Sequence, residues 1–248
     1  MRFSVNAAAA GPRRTPRYNA AAMPLTSQNP HGKPRHDVGE IGRDASALPG
    51  LGTDPAASRF DVRDWFPPDR RGHPLELEIG SGKGTFLVQQ ARAMPEVNYV
   101  GVEYAAAFWR HAADRCRRHG LQNVRALHAD ARTFVQWHCA DAIFRQVHIY
   151  FPDPWPKKRH NKRRLIQESF LRELHRTLTP DAAVRIVTDH DDYFAWIEEH
   201  AGRVTDLFER GSFEKPLAAG EGEVVGSNFE RKYRREGRPF HGLTLHRR

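Results

Sequence analysis

Short apolar runs alternate with amphipathic stretches from about residue 74 to residue 200. The apolar runs are five or six residues long and rich in Val, Ile, Leu, Phe and Tyr, which predicts β-strands. We place these strands at residues 75–79, 98–103, 124–128, 146–151 and 183–188. The stretches between them predict helices at residues 85–93, 105–119, 165–178 and 191–200, and a short helix from about residue 133.

Strands that alternate with helices of this length indicate βαβ units. Parallel strands need a long crossover connection, and such connections place helices on both faces of the sheet. The pattern therefore predicts a doubly wound α/β fold with a mostly parallel, Rossmann-like sheet. Residues 204–245 are predicted to add a C-terminal antiparallel β-hairpin.

The first 58 residues lack this pattern and are rich in Ala, Pro, Gly, Arg and Asn. We predict a disordered or loosely attached basic arm over residues 1–58 and one domain over residues 59–248. Two interpretations of the arm stay open: a filler without function, or a segment whose basic side chains contact phosphates. Those side chains are Arg13, Arg14, Arg17, Lys33 and Arg35.

Composition narrows the class of protein. No run of 18 apolar residues exists, so we expect no transmembrane helix. Cys116 and Cys139 stand alone, which argues against a disulfide framework or a structural zinc site and suits a cytoplasmic protein. The histidines form no metal-ligand spacing, and we expect no metal. The net charge of +9 makes a polyanionic partner plausible.

A glycine-rich turn follows the first predicted strand and opens the first predicted helix. It contains Gly80, Gly82 and Gly84. Glycines allow tight turning and close approach of a ligand, and the helix N-terminus offers free N–H groups. The spacing is one residue short of a dinucleotide fingerprint, and Lys83 is followed by Gly84 rather than Ser or Thr, which excludes a P-loop. The remaining description of the motif is an acidic residue followed by G-x-G-x-G.

Three carboxylates fall at the ends of successive predicted strands. They are Glu78, Glu103 and Asp130. In open α/β sheets the ligand binds at this edge, where Glu103 can accept from ribose hydroxyls and Asp130 can meet an adenine amino group. Any one of them alone could equally be a helix cap or a solvated carboxylate, and Glu103 alone would suit NAD. Their joint placement favours a nucleoside-bearing cofactor.

A proline-rich loop follows the fourth predicted strand and carries Asp153 and Trp155. The prolines restrict the loop, so an acid and an aromatic ring are held together at the mouth of the sheet, as suits a nucleobase. Six of the eight residues from 157 to 164 are Lys or Arg. Such a run is often only a solvated face, but beside this loop it favours phosphate contacts with RNA.

Taken together, these motifs resemble the bacterial tRNA (guanine-N(7)-)-methyltransferase family, a group of class I S-adenosylmethionine-dependent enzymes. The resemblance is carried by residues 151–164, by the turn from Glu78 to Gly84, by Thr188-Asp189 and by residues 227–230, and it extends over residues 75–245. It implies the cofactor S-adenosylmethionine and the methylation of a guanine in the variable loop of tRNA. Ser227 stands where the family usually has Thr, and the N-terminal arm is longer than usual.

The resemblance also implies roles for individual residues. It makes Asp153 catalytic and also counts it among the cofactor-binding residues. It assigns the cofactor to Glu78, Gly80, Gly82, Gly84, Glu103 and Asp130. It assigns the substrate to Lys157, Arg159, His160, Asn161, Lys162, Arg163, Arg164, Asp189, Ser227, Asn228, Phe229 and Glu230.

The chemistry agrees with these roles. Guanine N7 has an available lone pair, so its methylation needs no strong base, and a carboxylate on the far edge of the ring would stabilise the positive charge that develops. Asp153 and Asp189 both remain candidates for that carboxylate. The alternatives are a class I methyltransferase with another substrate, a catalytically silent RNA-binding module and, more distantly, an NAD-dependent oxidoreductase. We expect a monomer or a homodimer.

Overall fold

The computed structural model describes residues 36–248, and eight strands within that range form one sheet. Their order across the sheet is β1-β4-β3-β2-β5-β6-β8-β7. All neighbouring pairs from β1 to β6 are parallel, whereas β8 pairs antiparallel with both β6 and β7. The strands are β1 Gly42–Asp44, β2 Leu75–Ile79, β3 Asn98–Glu103, β4 Val124–His128, β5 Phe144–Tyr150, β6 Leu178–Thr188, β7 Phe208–Ser212 and β8 His241–Arg247.

Helices cover both faces of the sheet. One face carries α1 and α2, which pack with Tyr99 and Ala126 of the strands, and the other carries α4 and α5, which pack with Leu77 and Val100. The helices are α1 Thr85–Ala93, α2 Ala106–Arg118, α3 Ala131–Thr133, α4 Glu168–Thr177, α5 Asp191–Gly202 and α6 Asn228–Arg235. None of the helices from residue 36 onward is long and apolar enough to cross a membrane.

The order of the strands reverses at the centre of the sheet. From β2 the chain winds outward through β3 and β4 and then returns to place β5 on the other side of β2. The crevice at the carboxyl ends of β2 and β5 is therefore the switch point, where ligands bind in doubly wound folds. The glycine-rich turn leaves β2 and the proline-rich loop leaves β5, so the topology brings the two predicted motifs to this one crevice.

The predicted α/β fold is confirmed, with small differences at the boundaries. Strand β6 begins at Leu178, five residues before the predicted start, because it follows α4 without a loop. The helix α3 is three residues long and continues as a π-helical turn from Phe134 to His138. The C-terminal pair β7–β8 is antiparallel as expected, but α6 lies in its long connection, so it is no simple hairpin.

Part of the predicted N-terminal arm differs from the expectation. Residues 1–35 lie outside the described residues. Within residues 36–58, however, β1 pairs in parallel with β4 from Gly42 to Asp44, and the side chain of Ile41 is 6% exposed. These residues belong to the sheet rather than to a loose arm. This three-residue edge strand is held by backbone hydrogen bonds, by the contact of Asp44 with His128 and by scattered apolar side chains on either side of it, which leaves no periodic pattern to detect.

Candidate active site

The glycine-rich turn adopts a backbone that only glycine accepts without strain. The φ angles are +80° at Gly80, +54° at Gly82 and +69° at Gly84. Space is also restricted, because a Cβ atom on Gly84 would lie 2.9 Å from the Cβ of Ala112 in α2. The turn therefore holds the N-terminus of α1 directly above the end of β2, with its backbone open toward the crevice.

Glu103 at the end of β3 fixes this turn. One carboxylate oxygen accepts from the backbone N–H of Gly82 at 2.8 Å, and the other accepts from the N–H of Ala105 at 2.7 Å. Each oxygen of a carboxylate has two lone pairs, so Glu103 keeps capacity for two hydroxyl donors. The structure thus gives Glu103 a structural contact that the sequence did not reveal, and leaves its predicted ribose contact open.

Glu78 lies at the floor of the crevice and is buried, with 5% exposure. Among the described residues, its Oε2 atom has no hydrogen-bond partner. Burial, with a smaller contribution from the charge of Glu103, raises the pKa of Glu78 to about 8. A buried carboxylate without a partner is costly, and such groups mark sites where a ligand supplies the missing donor or cation.

The third predicted cofactor carboxylate, Asp130, is exposed and caps α3. Its Oδ1 atom accepts from the backbone N–H of Thr133 at 2.8 Å. Its second oxygen is available at the carboxyl edge of β4, next to the end of β3. Helix capping therefore accounts for one oxygen of Asp130 and leaves the other for the predicted adenine contact.

The C-terminal helix α6 covers the glycine-rich turn. The ring of Phe229 lies so close to Gly82 that a Cβ atom there would be 3.1 Å from the ring. Ser227 caps α6 and accepts from the N–H of Glu230 at 3.1 Å. The resulting cleft combines residues from β2, α1, β5 and α6. Its lining is Glu78, Gly80, Ser81, Lys83, Thr85, Phe86, Tyr150, Ser227, Asn228 and Phe229.

Glu230 does not face a substrate, contrary to the prediction. Its side chain is fully buried, and its carboxylate accepts from the N–H groups of Val224, Val225 and Gly226 and from Arg234, at 2.6–2.8 Å. These donors outweigh the effect of burial and hold the pKa of Glu230 below its ordinary value. Because four donors fill the carboxylate, Glu230 stabilises the loop before α6 instead of binding RNA.

The backbone of the proline-rich loop after β5 is strained, whereas the backbone of the glycine-rich turn is not. Phe151 and Trp155 have φ angles of +54° and +44°, in the left-handed region that such residues rarely adopt. Strain of this kind costs about 1–3 kcal/mol per residue and persists only when the surroundings hold it. Asp153 lies between these two residues and is exposed, and no ion pair engages it within residues 36–248.

The basic run forms one 3-10 helix from Lys158 to Arg163 beside Trp155. The guanidinium of Arg163 lies over the Trp155 ring at 5.0 Å, and the ring of His160 meets it edge-on at 5.8 Å. Side chains project outward from this helix. Lys157, Lys158, Arg159, Lys162 and Arg163 are exposed, and His160 and Asn161 are partly buried. The structure thus brings these predicted RNA contacts together on one surface.

Arg164 at the end of the run does not share that surface. It is 1% exposed, and its Nε donates to the carbonyl of Pro154 at 2.8 Å. Its guanidinium forms an ion pair with Asp192 and lies 5.1 Å from the ring of Tyr193. The prediction that Arg164 contacts RNA is corrected accordingly: the side chain is enclosed and fastens the proline-rich loop to α5.

Asp189 at the end of β6 is paired, unlike Asp153. Its carboxylate accepts from Arg238 at 2.7 Å, and its side chain is 10% exposed. Arg238 also stacks on Tyr233 of α6 at 4.3 Å. Burial and the nearby charge of Asp189 raise the pKa of Tyr233. The sequence analysis missed Tyr233 and Arg238, whose basic and aromatic character offered no signal distinct from the rest of the C-terminal segment.

Known proteins resemble this chain over most of its length. A family model described as "Putative methyltransferase" matches residues 72–243. The chain is 37% identical over 172 residues to a tRNA (guanine-N(7)-)-methyltransferase of Rubrobacter xylanophilus, covering 69% of this chain and 76% of that protein. It is 32% identical over 207 residues to one of Myxococcus xanthus, covering 79% and 97%. A third, from Nitrosococcus oceani, is 44% identical over 130 residues, which is 51% and 55% of the two chains.

Solved structures share the fold. The aminoglycoside resistance methyltransferase NpmB1 superposes with a TM-score of 0.50 at 16% identity, covering 76% of this chain and 95% of that one. A 30S ribosomal A1408 methyltransferase from an uncultured bacterium gives the same TM-score at 12% identity. At this identity the likeness supports a class I, Rossmann-like methyltransferase fold and nothing finer. Within the part of the chain that the structure describes, no group of three or more metal-ligating side chains is present.

Proposed function

Since the chain belongs to the bacterial tRNA (guanine-N(7)-)-methyltransferase family, we propose that it transfers a methyl group from S-adenosylmethionine to N7 of a guanine in the variable loop of tRNA. One observation carries the proposal. The unpartnered buried carboxyl group of Glu78 lies near the carboxyl end of β2, and the exposed carboxylate of Asp153 follows the neighbouring strand β5, both at the switch point. A cationic cofactor and a nucleobase can therefore meet there. We also propose that the enzyme acts in the cytoplasm, where bacterial tRNA is found.

The residues present fit the cofactor. The ammonium group at the methionine end would supply the donor that Oε2 of Glu78 lacks, and its positive charge would favour the ionised form of this buried carboxyl group. Glu103 would accept from the ribose hydroxyls, and the free oxygen of Asp130 from the adenine amino group. Bound S-adenosylmethionine supplies a methyl group on a positively charged sulfur, which is an activated electrophile.

Asp153 is the carboxylate we assign to the guanine. The base would present its N1–H and exocyclic amino hydrogens to Asp153 while N7 faces the cofactor cleft. Positive charge spreads over the ring as N7 is alkylated, so a carboxylate on that edge binds the transition state better than the neutral base. Asp189 is already paired with Arg238, and we assign it to holding the C-terminal segment in place.

Orientation is the main contribution of the protein, because N7 needs no deprotonation before it attacks. The strained loop holds Asp153 and Trp155 in place, and Trp155 offers a face or edge to the base. The exposed side chains of the 3-10 helix would then bind the phosphates that flank the methylated guanine. The cofactor and the RNA would thus be held by two different loops that leave neighbouring strands.

The proposal is tested by incubating the full chain with S-adenosylmethionine and unmodified tRNA, followed by mass analysis of the nucleosides. We expect a methylguanosine that co-elutes with authentic N7-methylguanosine, and much less product on free GTP or on DNA. Methylation of an exocyclic amine, of N1 or of adenine would overturn the proposal, as would binding of tRNA without any methylation.

A further inference from the structure

A buried chain of hydrogen bonds runs along β2 and β5 toward the cofactor cleft. Arg145 donates to Glu76 at 2.9 Å, and the other oxygen of Glu76 lies 2.9 Å from Nε2 of His148. Nδ1 of His148 lies 2.8 Å from the hydroxyl of Tyr150. Arg145 is partly exposed, but His148 is fully buried and Tyr150 is 5% exposed, so water does not compete for the contacts of His148 with Glu76 and Tyr150.

The hydrogen bonds that link Glu76, His148 and Tyr150 allow one placement of their protons at neutral pH. Burial alone would raise the pKa of Glu76, but the hydrogen bonds from His148 and Arg145, with the charge of Arg145, hold it below its ordinary value, so Glu76 is ionised. Burial lowers the pKa of His148, which is therefore neutral. An ionised carboxylate only accepts, so the imidazole proton sits on Nε2. Nδ1 is then bare, and the Tyr150 hydroxyl must donate to it.

The Tyr150 oxygen is left as an acceptor with no hydrogen to offer elsewhere. Tyr150 lines the same cleft as Glu78, and its ring is held by contacts with Phe86 at 5.2 Å and with Phe213 at 6.4 Å. These contacts and the hydrogen bond to His148 fix the direction of the Tyr150 hydroxyl, and a lone pair of its oxygen remains for a donor bound in the cleft that Tyr150 lines. A neutral oxygen of this kind can serve a cation without adding a second buried charge.

We propose that the Tyr150 oxygen is a second acceptor, beside Glu78, for the ammonium group of S-adenosylmethionine. The inference rests on the proposed function for the identity of the cofactor. An ammonium group carries three donors, so one carboxylate oxygen does not satisfy it. Tyr150 is then a cofactor-binding residue, and His148 is a positioning residue that acts through the direction of the Tyr150 hydroxyl.

Calorimetry on the full chain without RNA tests this assignment with three ligands. S-adenosylmethionine and S-adenosylhomocysteine both carry the ammonium group, whereas 5′-methylthioadenosine lacks it. Tyr150→Phe should weaken the first two about tenfold, as expected for a hydrogen bond to a charged group, and leave the third unchanged. Tyr99→Phe is the matched control, because Tyr99 is equally buried but lies near the amino end of β3.

Two variants of His148 test the positioning role. His148→Leu removes the acceptor for the Tyr150 hydroxyl and should weaken the two ammonium ligands, whereas His148→Asn keeps an amide oxygen near Nδ1 and should restore most of the affinity. If Tyr150→Phe is too unstable for calorimetry, the comparison of the two His148 variants still tests whether the Tyr150 hydroxyl binds the ammonium group. Wild-type affinity of Tyr150→Phe, an equal loss for 5′-methylthioadenosine, or equal behaviour of the two His148 variants would overturn the inference. Failure of the wild type to bind S-adenosylmethionine would instead contradict the proposed function.

Discussion

The two loops that meet at the switch point are built in opposite ways. In the turn after β2, the residues with positive φ are Gly80, Gly82 and Gly84, for which that conformation is unstrained. In the loop after β5 they are Phe151 and Trp155, for which the same conformation is strained. The loop after β2, which we call the cofactor half of the site, thus relies on the conformational freedom of glycine. The loop after β5, which we call the RNA half, relies on side chains that hold a strained backbone.

This difference predicts which measured property should change when residues of each half are substituted. The glycine turn positions backbone N–H groups and depends on buried carboxylates, so its variants should change cofactor affinity and the pH dependence of stability. The proline-rich loop positions Asp153 and Trp155 and depends on Arg164, so its variants should change turnover and RNA binding far more than cofactor affinity.

Glu78→Gln should stabilise the ligand-free protein at high pH. Burial raises the pKa of Glu78 to about 8 from an ordinary value of 4.5, so between these pH values the unfolded chain is ionised at this residue while the folded chain is protonated. Wild-type stability therefore falls as pH rises through this window, by at most about 1.4 kcal/mol per pH unit. Glutamine does not titrate, so its advantage in melting temperature should be absent at pH 4 and greatest above pH 8. A difference independent of pH would contradict the assignment, and the variant should also lose affinity for S-adenosylmethionine.

Asp153→Asn should lower turnover by about 10²–10³-fold, the usual cost of removing one group that stabilises transition-state charge. Affinity for S-adenosylmethionine should change far less, because the amide keeps the shape of the side chain and the residue lies on the loop after β5 rather than in the glycine-rich turn. Single-turnover kinetics and calorimetry measure the two effects. Asp69→Asn is the control, as Asp69 is also exposed but precedes β2. Wild-type turnover of Asp153→Asn would remove that carboxylate from the mechanism.

Glu103→Ala should weaken S-adenosylmethionine binding by roughly 1.5–3 kcal/mol for each charge-assisted hydrogen bond that it removes. Part of this effect should come from the turn itself, because Glu103 holds the N–H of Gly82. Calorimetry measures the affinity, and proteolysis of the free protein reports whether the turn has loosened. Unchanged affinity, or tight binding of NAD by the wild type, would refute the assignment.

Substitutions of Arg164 and of its neighbours Lys162 and Arg163 should have different effects although the three residues are adjacent in sequence. Arg164→Met should lower stability by about 1–3 kcal/mol and reduce turnover, since the substitution removes a buried guanidinium together with its carbonyl hydrogen bond and its ion pair. Replacing Lys162 and Arg163 with Ala should leave the melting temperature unchanged and reduce the salt slope of tRNA binding by about 0.7–0.9 for each phosphate that the protein no longer neutralises. Equal effects in both variants would show that the run is one uniform surface.

Local patterns predicted most of this fold. The bounds of β2, β3, β4 and α1 agree with the sequence prediction, because apolar periodicity, glycine and proline act within a few residues. The glycine turn was predictable for the same reason. The strain at Trp155 was not, since a positive φ at a non-glycine residue depends on contacts made after folding.

Long-range partners account for what the sequence did not show. Arg163 and Arg164 are identical residues, and only the position of Asp192 and Pro154 in space makes one exposed and the other enclosed. Glu230 matched a family motif, but its four donors come from a loop whose path no local signal predicts and from Arg234. The contact of Glu76 with His148 likewise depends on the pairing of β2 with β5.

Chemical cleavage of the product RNA tests the central claim most directly. Borohydride and aniline break RNA chains at N7-methylguanine, so one purified tRNA can be incubated with the protein and S-adenosylmethionine, cleaved and sized on a gel. We predict a single new break within the variable loop, absent when the cofactor is omitted and strongly reduced with Asp153→Asn. Methylated tRNA that resists this cleavage, or that breaks outside the variable loop, would contradict the account.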